Sequence, residues 1–402
     1  MLSRRSFLRS SAASAAYLGF PWAARAANAP GVTNTEIKIG QTAPYSGPAS
    51  PYGVIGRAEI AFFKMINDMG GINGRKVNLI SLDDGYSPPK TVEQTRRLVE
   101  QEGVALIFGS LGGPTNAAIR SYLNDNKAPQ LFIASGSGIF DDPHHFPWTI
   151  AFYPSGRTEA RVYAKHILAT RPDAKIGVLY EDQDEGRQFI DGVRDGLGAD
   201  RAAMIVKEVP YEPSDPTVDS QIFTLQGAGV DTLLLGAGAK QVVQAIRKAS
   251  DIGWTPERYV VSASSSIALV LTPAGLDKSK GIITNFWGKD LSDPRWKDDA
   301  GYKSYAAFVE KYMTPAQLSD AFVHYAFNVS TLMAQVLTMC GDDLSRENIM
   351  WQAAHIKDFE LPLLLPGMKV NTSPDNYRTI RQLQLTRFDG ANWSPIGGLI
   401  ED

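Results

Sequence analysis

The run Val104-Ala105-Leu106-Ile107-Phe108 is apolar at every position, and few architectures can bury such a segment. A strand with one wetted face alternates in polarity, whereas an unbroken run suits a parallel strand covered on both sides by helices. Short apolar runs recur along the chain and predict strands over Ile37–Gly40, Val77–Leu82, Gln130–Ala134, Ile176–Tyr180, Met204–Val209, Thr232–Leu235, Tyr259–Ser262 and Ile282–Phe286. Between them the period changes. Ile55, Ala58, Phe62, Met65 and Ile66 share one helical face that Gly70-Gly71 ends, and Thr91–Glu100 and Val242–Ala249 repeat the pattern. Strand, helix, strand on this scale means right-handed crossovers and doubly wound α/β sheets.

A chain of 402 residues exceeds what one core accommodates, so two domains are expected. The first block runs to about Ile150, where the turn-rich Asp141–Pro147 breaks the rhythm, and the second begins near Arg157. Helical patterns at Trp296–Tyr312, Asp320–Met339 and Ser345–His355 precede late strands at Arg381–Phe388 and Ile396–Ile400, so the tail is expected to return to both units. The expected division is 31–150 plus about 283–342 for one lobe, and 151–282 plus about 343–402 for the other.

The N-terminus reads as a leader. Residues 1–26 carry Arg4, Arg5, Arg9 and Arg25 and no acid, and Arg4-Arg5 followed by Phe7-Leu8 has the pattern of a twin-arginine export signal. The apolar stretch that follows is too short to span a bilayer, and Ala24-Arg25-Ala26 offers small residues for cleavage. The mature product is expected to be periplasmic. Net charge is −3, and outside the leader 36 basic face 43 acidic residues, which excludes the broad basic surface of a nucleic-acid binder.

Enzyme signatures fall short. A phosphate loop is missing, and Gly236-Ala237-Gly238 lacks the third glycine of a dinucleotide fingerprint. Ala134-Ser135-Gly136-Ser137-Gly138, read in frame, lacks the first glycine of a nucleophile elbow. His144 and His145 are adjacent and lack the spacing of a helical zinc pair, and Asp182, Asp184 and Glu185 fit a helix start better than a calcium loop. Cys340, the one cysteine, reads as packing. What does recur is a Gly/Ser-rich turn after strands: Gly109–Thr115, Ser135–Gly138 and Ser262–Ser266. Ligands of open α/β sheets bind outside those strand ends, where main-chain N–H groups and helix N-termini favour an anion.

These pieces together carry a resemblance. Ile37-Lys38-Ile39-Gly40 with Ser46-Gly47-Pro48, Gly70-Gly71-Ile72-Asn73-Gly74-Arg75 and Asp83-Asp84 resembles the Leu/Ile/Val-binding-protein family, the solute-binding subunits of ABC importers. Asp215–Ser220 and Ala245–Ala249 are similar to the second lobe of the same family. The resemblance implies a type I periplasmic-binding fold: two doubly wound α/β lobes joined by three crossover segments, with a ligand cleft between. It implies a monomer that delivers a small-molecule carboxylate to permease subunits, without cofactor, metal or catalysis.

It also implies the contacts. The ligand carboxylate would meet Gly112, Gly113, Ser135, Gly136, Ser137 and Gly138, with Tyr52 lining the pocket. From the second lobe, Asp184, Glu185, Gly238, Ser264 and Ser265 occupy the corresponding loops. Amino-acid binders of this family use a second-lobe acid to receive the ammonium group, and Val261–Ser266 contains none. An unpaired ammonium would be costly to bury, so a carboxylate without an α-amine is expected, an aromatic acid in particular. Tyr52, Tyr153, Phe286, Trp287 and Phe322 would supply walls for a ring. Asp184 or Glu185 leaves amino-acid binding open, and a ligand-binding module of a sensory system is the alternative from another class.

Overall fold

A computed structural model describes residues 29–402 apart from 48, 213, 290 and 292. The arginine-bearing leader expected over residues 1–26 lies outside the described residues. The first sheet holds β1 (Glu36–Ala43), β2 (Lys76–Asp83), β3 (Ile107–Phe108), β4 (Gln130–Ile133) and β5 (Thr149–Ala151). All neighbours run parallel, in the order β2-β1-β3-β4-β5. Helices α1 (Val54–Asp68), α2 (Pro88–Arg96) and α3 (Gly113–Asp125) make the returns between strands.

The second sheet holds β6 (Ile176–Glu181), β7 (Ile205–Tyr211), β8 (Thr232–Gly236), β9 (Glu257–Val260), β10 (Ile283–Phe286), β11 (Gln382–Phe388) and β12 (Trp393–Glu401). Its order is β12-β11-β10-β9-β8-β6-β7; β11 runs antiparallel to both β10 and β12, and the other neighbours are parallel. Helices α4 (Gly156–Thr170), α5 (Asp184–Leu197), α6 (Asp219–Gly227) and α7 (Ala239–Asp251) cover it. At the α4–α5 contact a side chain on Gly192 would stand 2.3 Å from the Arg157 carbonyl, so glycine there sets the close approach.

The apolar run at 104–108 is fully buried, yet only Ile107 and Phe108 are strand. Ala105 N–H still donates to Lys38 and Gly40 N–H to Leu106, both at 2.9 Å. The carbonyls of Val104 and Ala105 instead accept from the Arg346 guanidinium at 2.9 and 3.0 Å, which takes them out of the ladder towards β4. The short strand β5 falls directly after the segment read from sequence as a break.

The returning helices Ala300–Tyr312 and Ala321–Met339 pack on α1 through Phe62, Phe308 and Phe327, whose rings lie 5.3–6.2 Å apart. The lobe boundaries differ from those expected. Ile283–Phe286 pairs with β9 and β11 and so belongs to the second lobe, not the first. Helix Arg346–Ala353 belongs to the first lobe, held there by Arg346, so the last crossing falls just before β11 and not near residue 343. Crossing points depend on which strand a segment pairs with, and that is not written in local periodicity. The three crossings run side by side. Trp287 meets Phe152 and Tyr153 at 6.1 and 5.3 Å between ring centroids, and Thr379 Oγ1 donates to the Phe152 carbonyl at 2.8 Å.

Candidate functional site

Where the carboxyl ends of the first sheet face the second lobe, the chain makes two tight turns. After β3 it passes through Gly112, whose φ of 105° starts α3 in a conformation that a side chain resists. A Cβ there would also stand 2.5 Å from the Tyr86 ring. The first-turn N–H groups of α3 have no intrahelical acceptor, and Pro114 removes one of them, which leaves Gly113 and Thr115. Asn116 braces the turn from behind, its Nδ2 donating to the carbonyls of Ser110 and Gly112 at 2.9 and 2.7 Å. After β4 comes Ser135. A Cβ built on Gly113 would lie 3.5 Å from Ser135 Oγ, so the two turns meet. Ser135 Oγ accepts from Ser137 N–H at 3.1 Å, which leaves its own proton to donate.

These turns open into a cleft of about 1090 Å³ between the lobes. Of the residues expected from sequence, Tyr52, Gly112, Gly113, Ser135, Gly136, Tyr153, Glu185, Phe286 and Phe322 line it, as does Trp287. Tyr52 and Phe322 face each other across its lip with ring centroids 5.0 Å apart. The remainder do not line it. Ser137 N–H turns back to Ser135, and Gly138 N–H donates to Gln188 Oε1 across the lobes at 2.6 Å. Gly238 N–H is taken by the Tyr211 hydroxyl at 2.9 Å. Ser264 donates to the Ala237 carbonyl at 2.8 Å and Ser265 to the Ser262 carbonyl at 2.7 Å. Asp184 stands exposed in the first turn of α5, one residue short of the lining Glu185. Apart from Asp184, each of these groups is engaged by a hydrogen bond, within its own turn for Ser137 and Ser265 and from a distant part of the chain for Gly138, Gly238 and Ser264, which residue type alone does not reveal.

The second-lobe wall is built on Glu159 of α4, which is 4% exposed. Its carboxyl accepts from Ser262 N–H at 2.9 Å, Ser262 Oγ at 2.5 Å and Asn285 Nδ2 at 2.8 Å. Burial raises this carboxyl above the usual range, with the hydrogen bonds from Ser262 and Asn285 pulling the other way. Ser262 and Asn285 both line the cleft. Beside them the Tyr153 hydroxyl is pushed up to about 12, by burial first and then by Glu159, so it is a neutral phenol.

Charge in the cleft is unbalanced. Lys289 is the one lysine or arginine among the described lining residues, and its ammonium is engaged by Asp299 at 2.6 Å and the Pro362 carbonyl at 2.8 Å. Two acids line the space. Asp320 caps helix Ala321–Met339, accepting from Phe322 N–H at 2.8 Å. Glu185 has its carboxyl raised by burial in the cleft and then by Glu181. Sequence reading missed Asp320, Tyr86, Asn285 and Tyr325. Tyr86 and Asn285 sit at the carboxyl ends of β2 and β10, and the rule that found Ser135 applies to them equally. Among the described residues no group of side chains could hold a metal ion, and no helix is long and apolar enough to cross a membrane.

A family model described as periplasmic binding protein matches residues 36–392. A Leu/Ile/Val-binding protein homolog 1 from Brucella abortus is 25% identical over 319 residues, covering 78% of this chain and 81% of its own. Among solved structures, a branched chain amino acid ABC transporter protein from Thermus thermophilus with bound valine has a TM-score of 0.74 at 14% identity, covering 92% and 98% of the two chains. A fatty acid ABC transporter substrate-binding protein from Thermomonospora curvata has a TM-score of 0.68 at 21% identity, covering 94% and 95%. The two-lobed architecture is therefore the type I periplasmic-binding fold. With the family match running across both lobes, the chain belongs to the periplasmic binding protein family.

Proposed function

We propose that the protein is the extracytoplasmic solute-binding subunit of an ABC importer, acting as a monomer that captures a small carboxylate, an aromatic acid, by closing its lobes. The observation that carries this reading is the meeting of the α3 N-terminus with the Ser135 hydroxyl at a cleft whose one described lysine is already paired. Main-chain amides and a hydroxyl hold an anion there without a counter-charge, and aromatic walls at Tyr52, Tyr153, Trp287 and Phe322 suit a ring. A micromolar complex needs about −8 kcal/mol, within reach of a buried ring and several charge-assisted hydrogen bonds. The leader with Arg4 and Arg5 would direct export by the twin-arginine route.

A second reading has its own support. Glu185 and Asp320 line the cleft, and either can receive an ammonium group, which favours an amino acid. The valine complex from Thermus thermophilus and the fatty acid protein from Thermomonospora curvata bracket the two choices. Thermal melting with a panel of acids separates them. A ligand at a hundredfold its dissociation constant stabilises by about 2.7 kcal/mol, so the shift is readable. Stabilisation by 3-phenylpropanoate or benzoate supports the aromatic acid. A response to leucine or valine with none to aromatic acids overturns it in favour of the amino acid.

A further inference from the structure

Two polar atoms in the cleft wall have no hydrogen-bond partner among the described residues. They are the hydroxyl of Tyr325, a residue 7% exposed, and Oδ1 of Asn285, a residue 0% exposed. Buried polar groups are nearly always paired, so each such atom asks for an explanation. The orientation of Asn285 is fixed, because its Nδ2 donates to Glu159 and, at 2.6 Å, to the Tyr163 hydroxyl. Turning the amide over would set its oxygen against the Glu159 carboxyl and remove the donor that Nδ2 gives the Tyr163 oxygen. Tyr325 is held by its ring, 5.5 Å from Phe152 and 6.2 Å from Tyr153 between centroids. Burial, then Glu59 and Tyr153, raise its phenol well above the ordinary value, so it stays neutral and can donate.

Both atoms lie by the crossings, and neither belongs to the Gly113–Ser135 turn that would take the carboxylate. We infer that Tyr325 is a specificity-determining residue whose hydroxyl donates to an uncharged hydroxyl carried by the ligand away from its carboxylate, with Asn285 Oδ1 as the acceptor at that subsite. The inference rests on the carboxylate-binding reading and narrows it: the ligand is a hydroxylated acid. A hydroxyl both accepts and donates and so suits a phenol donor beside an amide oxygen, whereas a carboxylate has no proton to give Asn285 Oδ1.

Isothermal titration of the purified protein and of Tyr325→Phe with two matched pairs tests this. The pairs are 3-phenylpropanoate with 3-(4-hydroxyphenyl)propanoate, and phenylalanine with tyrosine. In wild type the hydroxylated member binds more tightly by roughly fivefold to tenfold, the factor expected of one net hydrogen bond. Tyr325→Phe erases that preference, so that the two members of each pair bind alike, and does not lower the melting temperature of the free protein. Equal binding in wild type, a preference that survives in Tyr325→Phe, or a destabilised variant each overturns the inference. If the acids bind without preference, the inference fails and the carboxylate reading stands. If neither pair binds, the reading beneath falls and takes the inference with it.

Discussion

Glu159 is a strut beneath the second-lobe wall, and its removal should be felt in both stability and binding. The closest donors to its carboxyl are Ser262 N–H at 2.9 Å, Ser262 Oγ at 2.5 Å and Asn285 Nδ2 at 2.8 Å, with the Tyr163 hydroxyl at 3.5 Å. In Glu159→Ala the Ser262 hydroxyl can rotate, and Asn285 keeps the Tyr163 oxygen at 2.6 Å. The main-chain N–H of Ser262 has no such recourse. A stranded buried donor costs about 1–3 kcal/mol, and the lost packing of a 4% exposed side chain adds a comparable amount. Against this, the variant loses a carboxyl whose charged form burial already disfavours. The net expectation is about 3 kcal/mol of destabilisation, while Glu159→Gln, which keeps one acceptor oxygen, should cost about 1 kcal/mol. Urea denaturation measures both. Because Ser262 and Asn285 line the cleft, the Ala variant should also bind 3-phenylpropanoate more weakly. Equal losses for Ala and Gln, or an Ala variant as stable as wild type, would refute the strut.

Gly136→Leu should preserve the fold and weaken binding. A Cβ there meets only the Pro154 carbonyl and the Tyr153 ring, each at an ordinary 3.6 Å, while the rest of the side chain enters the cleft. A dissociation constant raised at least about tenfold with an unchanged melting temperature is the expected pair of readings. Asp141 should make stability fall as pH rises. Burial lifts its carboxyl to about 6, opposed by Arg378 and Arg161, so the folded state holds the proton more tightly than the unfolded state. That contribution is complete below about pH 4 and is lost as pH climbs through about 6. Asp141→Asn should therefore gain about 2 kcal/mol on wild type between pH 4 and pH 7, and parallel pH profiles in urea denaturation would refute it.

The sheets were legible because parallel strands need both faces covered, and that demand leaves apolar runs such as Leu233-Leu234-Leu235, all buried here. The first-lobe turns were legible for a related reason. Gly112 occupies a backbone conformation that side chains resist, so the residue type records the geometry. The second-lobe wall carried no such mark. Ser262 is positioned by Glu159, 103 residues earlier in the chain, and nothing local distinguishes Glu159 from any other helical glutamate. Gly238, Ser264 and Ser265 were expected at the site from the resemblance, whereas hydrogen bonds to Tyr211, Ala237 and Ser262 engage them. The crossing points failed similarly, because Ile283–Phe286 reads as a strand whichever lobe it joins.

The bundling of the three crossings at Phe152, Trp287 and Thr379 has a mechanical consequence. Parallel tethers set close together permit the lobes to swing about one axle and resist sliding or twisting. Tyr153 and Trp287 sit by that axle, where arcs are short, so a solute resting on them feels nearly the same surroundings through the whole swing. If the lobes close on a solute as proposed, recognition is concentrated where they move least.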